Sequence, residues 1–72
     1  MDLFEIDETK RLRREEAAAR LRDLADVLAR NNEVEFERDG GRITVHVPAE
    51  VNLKVEVEIG DDEREIEIEL TW

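Results

Sequence analysis

Covalent chemistry needs a nucleophile and a base, and this sequence is short of both. It holds one histidine, His46, and no serine, cysteine, tyrosine or glutamine. A Ser-His-Asp or Cys-His arrangement therefore cannot be assembled. Zinc held by thiolate and imidazole fails as well, because one imidazole and no thiol leave most ligand positions to carboxylates. No catalytic, cofactor-binding or metal residue is assigned, and no small-molecule substrate is identified. The chain is not expected to be an enzyme. Gly40-Gly41 lacks the G-x-x-x-x-G-K frame of a phosphate loop and opens a strand pattern, so it reads as a turn. His46 falls by parity on the polar face of its strand, beside Thr44 and near Glu33, and is expected to be exposed and without a role.

The acidic residues offer more. Glu56 and Glu58 alternate with valines in one segment, and Glu65, Glu67 and Glu69 alternate with aliphatics in the next. If these segments form a hairpin, any register that keeps apolar opposite apolar sets carboxylate against carboxylate, which destabilises a sheet. Salt relieves such repulsion, since the Debye length falls to about 3 Å at 1 M. Clustered carboxylates also suit Ca²⁺ or Mg²⁺, yet no loop here spaces its ligands as an EF-hand does. A solvated acidic face is the expectation, and a specific cation site is the alternative.

The whole chain shares this bias. Its 21 Asp and Glu against 11 Lys and Arg give a formal net charge of −10. Residues 1–32 carry eight acids and seven bases, and residues 33–72 carry thirteen acids and four bases, so the acidity belongs to the second half. Such a field repels phosphate backbones and anionic membranes. Only KRLRR, residues 10–14, could grip nucleic acid, through Arg11 and Arg14, and the total charge opposes it. Nine arginines accompany only two lysines, Lys10 and Lys54. An acidic, lysine-poor surface fits a halophilic protein, kept soluble in concentrated salt. The absence of cysteine permits a reducing compartment. MDLFEIDETK has no basic region leading into an apolar run, and no stretch approaches the roughly 18 apolar residues of a membrane span. A cytoplasmic, single-domain chain spanning residues 1–72 is expected, with no membrane partner.

Two periods organise it. Ala17, Ala18, Leu21, Leu24, Ala25 and Leu28 recur at spacings of three and four, which predicts a helix over about 14–31. Arg13 falls at its cap, Glu15 and Glu16 in its first turn, and Asn31 and Asn32 supply a left-handed exit. Beyond it the period is two, predicting strands over 33–38, 42–47, 52–59 and 65–72, with a further strand over 3–7 carrying Phe4 and Ile6. Asp39-Gly40 is a two-residue hairpin turn that would pair Phe36 with Ile43 and Val34 with Val45. Pro48 ends the second strand, and Gly60-Asp61-Asp62 turns the third into the fourth. The expected architecture is α+β, one amphipathic helix on one face of an antiparallel sheet of four to five strands.

Three segments, REEAAARLRDLADVL at 14–28, VPAEVNLKVEVEIG at 47–60 and EIEIELTW at 65–72, together resemble the amphi-Trp family. Its members carry an amphipathic alternating stretch that finishes on tryptophan. The resemblance implies a small domain common in salt-loving archaea, and it carries over no catalytic or binding residue.

With enzyme chemistry set aside, two functions stay open. The first is a protein-interaction module, homodimeric or with another protein partner, using Trp72, Leu70 and Ile68 on the final strand as its interface. The alternative is a regulator that binds nucleic acid or divalent cations.

Overall fold

A computed structural model of the chain describes residues 8–72. Its elements in chain order are α1 (Arg14–Arg30), β1 (Glu33–Arg38), β2 (Gly41–His46), β3 (Asn52–Ile59) and β4 (Arg64–Thr71). This is the α+β class that the change of period implies. The strand expected over residues 3–7 lies outside the described residues.

The helix begins where its acids can serve it. Arg13 is the extended N-cap, and its backbone N–H donates to Glu16 Oε1 at 3.1 Å. Arginine carries no acceptor, so its side chain cannot return the bond and only one half of a capping box forms. Glu15 and Glu16 lie at the positive end of the helix dipole and Arg30 at the negative end. The exit differs from the left-handed one expected. Asn31 is extended, at φ −132° and ψ 155°, while its N–H still donates to Val27 O at 2.9 Å. An extended exit feeds the chain directly into β1 at Glu33. Asn32 O then accepts the Val47 N–H at 2.7 Å, tying the helix exit to the end of β2.

The Asp39-Gly40 turn sets the first hairpin. Asp39 and Gly40 have φ of 50° and 78°, the two positive values a type I′ turn requires. The pairs Val34↔Val45 and Phe36↔Ile43 follow, as do Glu33↔His46 and Glu37↔Arg42 on the other face. Arg42 Nη2 donates to Glu37 Oε1 at 3.0 Å, and Arg42 Nη1 lies 3.9 Å from Glu35 Oε2. The second hairpin closes through a Gly60 N–H bonded to Glu63 O at 2.8 Å. On one of its faces stand Leu53↔Leu70, Val55↔Ile68 and Val57↔Ile66, and on the other Lys54↔Glu69, Glu56↔Glu67 and Glu58↔Glu65.

These hairpins form two separate two-stranded sheets rather than one continuous sheet. Pro48 has no N–H to continue a ladder, and the five residues from Val47 to Val51 carry the chain away before β3 begins. No Cα of β3 or β4 lies within 8 Å of a Cα of α1, β1 or β2. Among the described elements the helix packs against β1 alone. It half-buries Ala18, Leu24, Val27 and Leu28 and leaves Ala17, Leu21 and Ala25 exposed, so only part of the expected stripe is used. Among the described residues Val34, 7% exposed, is the one buried hydrophobic.

Candidate interaction surface

β3 and β4 pair in a register that sorts their side chains by kind. Because side chains alternate along a strand, the even positions of β4 and the odd positions of β3 share one face. That face presents Leu53, Val55, Val57, Ile59, Ile66 and Ile68, each more than half exposed. Arg64, opposite Ile59, supplies its one charge, at the tip.

Exposure along β4 is graded. Leu70 at the base is half-buried, Ile68 is 53% exposed and Ile66 is 73% exposed. Among the described residues, cover is found at the base. There Leu70 and Trp72 line a shallow groove of about 170 Å³ with Leu24 and Leu28 of the helix and Val34 and Phe36 of β1. The Trp72 indole still leaves 58% of the residue in solvent. Of the three residues singled out from sequence, Ile68 and Leu70 share one face of β4, and Trp72, just past its end at Thr71, joins Leu70 at the groove.

Leu53, Val55, Val57, Ile59 and Ile66 extend that surface. Their alternation reads equally well as the inner row of a covered sheet. What separates the two cases is size. A helix of 17 residues is about 25 Å long and roughly 10 Å across, so it covers about two strands at 4.8 Å spacing and not four. Three leucines and small alanines cannot roof both hairpins.

The opposite face is acidic. Glu56 faces Glu67 and Glu58 faces Glu65, while Lys54 Nζ lies 3.0 Å from Glu56 Oε2 on its own strand. Among the described residues no group of three or more His, Asp or Glu side chains is arranged to hold a metal ion. His46 is exposed opposite Glu33. Lys10, Arg11, Arg13 and Arg14 are all exposed, and Arg14 Nη2 lies 3.7 Å from Glu15 Oε1. No helix among the described residues is long and apolar enough to cross a membrane.

The surface is therefore two-sided, an uncovered aliphatic sheet backed by a row of carboxylates. No curated protein and no solved structure matches the chain. The family model of the Amphi-Trp domain matches residues 1–72, so the chain belongs to the Amphi-Trp domain family.

Proposed function

We propose that this protein is a small protein-interaction module, non-enzymatic, working in the cytoplasm at high salt. The observation that supports it most is the bare apolar face of β3–β4. Monomeric soluble proteins seldom expose contiguous apolar patches beyond a few hundred Å², and larger ones mark interaction sites. Trp72 and Leu70 lie at the base of this face, where an aromatic anchor beside a groove has the character of an interface hot spot. The salt adaptation draws on the net charge of −10 and on the opposed glutamates, whose repulsion concentrated salt screens. The absence of cysteine agrees with the compartment.

The test is retention of a protein partner, or of self-association, at molar NaCl by the wild type and by Ile66→Glu. Loss of both in the variant, with unchanged circular dichroism, supports the reading. Equal behaviour of the two proteins rejects it.

A second reading draws on the exposed Lys10, Arg11, Arg13 and Arg14, which would bring a regulator to nucleic acid, or on the carboxylate rows, which would attract divalent cations. Amide shift perturbations in these segments on adding a mixed oligonucleotide or MgCl₂ at moderate salt would support it. Their absence would remove it.

A further inference from the structure

A two-stranded hairpin is marginal in water by itself and becomes stable when its apolar face is covered. β3–β4 is such a hairpin, and among the described residues it shares a groove with the rest of the fold at its base. The chain exposes 7168 Å², whereas a compact monomer of its 8.4 kDa exposes about 4,600 Å². Its radius of gyration, 14.2 Å, likewise exceeds the roughly 11 Å of a compact chain this long.

We propose that the missing cover is a second copy of this chain, the two β3–β4 hairpins packing apolar face to apolar face about a two-fold axis. This rests on the interaction reading above and names the partner. The areas agree. The six residues from Leu53 to Ile68 leave on the order of 700 Å² uncovered per copy, backbone included, so a pair would bury up to about 1,400 Å², which reaches the 1,200–2,000 Å² range of stable interfaces. A patch that is aliphatic throughout, with Arg64 at its rim, is self-complementary, as a two-fold contact requires.

Charge selects this arrangement over the other ways two hairpins can meet. Sheets packed face to face lie about 10 Å apart with their outer rows pointing away, so Glu56, Glu58, Glu65 and Glu67 of both copies stay in solvent. At physiological salt that separation exceeds the Debye length of about 8 Å. Edge-to-edge pairing of two β4 strands would instead set one row of Glu65, Glu67 and Glu69 about 5 Å from another. A basic partner would be drawn to the carboxylate rows and leave the aliphatic face bare.

Sedimentation equilibrium of the full chain, from micromolar to millimolar and at low and molar NaCl, decides the matter. The expected result is twice the 8.4 kDa protomer mass, with tighter association at molar salt. Ile66→Thr keeps a β-branched side chain and should weaken the dimer about tenfold or more while leaving circular dichroism unchanged. Glu67→Lys, on the outer face, should keep the dimer. A protomer mass under every condition would overturn the proposal, as would Ile66→Thr dimerising like the wild type. So would a monomer scattering with a radius of gyration near 11 Å, because the hairpin would then have closed over its own helix. A monomeric wild type that binds another protein through Ile66 would reject the second copy and leave the interaction reading standing. Insensitivity of both mass and binding to Ile66→Thr would remove both.

Discussion

Glu56 and Glu67 stand directly opposite one another across β3–β4, and one step towards the tip Glu58 and Glu65 repeat the arrangement. Two unit charges about 5 Å apart in water repel by roughly 0.8 kcal/mol. Neutralising one of them, as in Glu67→Gln, should stabilise the fold by about that amount at low salt, raising the melting temperature by roughly 3 to 6 °C for a domain this small. The gain should shrink towards zero at molar NaCl, where screening has already removed the repulsion. Thermal unfolding of both proteins across a NaCl series checks this. The wild type's melting temperature should climb steeply with salt, and a flat profile would reject the salt-adapted reading.

Val34 and Val57 have the same side chain in opposite surroundings, the first buried and the second 62% exposed. Val34→Ala should cost about 2 kcal/mol, because it removes two methyls from the middle of a small core. Val57→Ala should cost little in the dilute monomer. Chemical denaturation at low protein concentration measures the difference, and equal losses would show that the second hairpin is covered without a partner.

Gly40 and Gly60 separate backbone strain from crowding. Gly40 has φ +78° and open space around the position of a Cβ, so Gly40→Ala should cost about 1 kcal/mol from conformation alone. Gly60 lies outside the left-handed region, and a Cβ there meets Glu63 O at an ordinary 3.7 Å. Gly60→Ala should be neutral or gain up to about 0.5 kcal/mol through the unfolded chain. Melting temperatures of the two variants rank them.

Arg42 lies 3.0 Å from Glu37 and 3.9 Å from Glu35, two carboxylates on the neighbouring strand. The side chains are more than half exposed, so Arg42→Ala should cost only about 0.2 to 1 kcal/mol, and less at molar salt. A double-mutant cycle with Glu37→Ala isolates the pair, and a coupling that persists undiminished at molar NaCl would contradict its electrostatic origin.

Much of this was legible because short-range rules decide it. The Asp39-Gly40 turn fixes the first register residue by residue, from Val34↔Val45 outwards. Alternation put Leu70 on the same face as Ile68 and carboxylate against carboxylate, which the register realises as Glu56↔Glu67 and Glu58↔Glu65. What periodicity could not supply is long-range. Alternating Val55 and Ile68 say that a face is apolar, and nothing in the alternation says what lies on it. The division into two sheets depends on where β2 and β3 fail to pair, which Pro48 hints at without deciding. Asn31 was misread for a related reason. Its tolerance of left-handed backbone is a permission, and the nearness of β1 overrode it. The extent of the surface followed from helix dimensions, which Leu21, counted as core in the stripe yet 51% exposed, makes plain.

Every described strand pairs with its immediate neighbour in sequence, β1 with β2 and β3 with β4, and the helix rests on the strand that follows it. Loop closures are correspondingly short, and chains dominated by such local pairings fold in microseconds to milliseconds. Refolding followed by Trp72 fluorescence should therefore begin with a fast phase whose rate ignores protein concentration. Any slower phase that quickens as the solution is made more concentrated reports two chains meeting, so a stopped-flow trace would separate in time what an equilibrium melt merges into one transition.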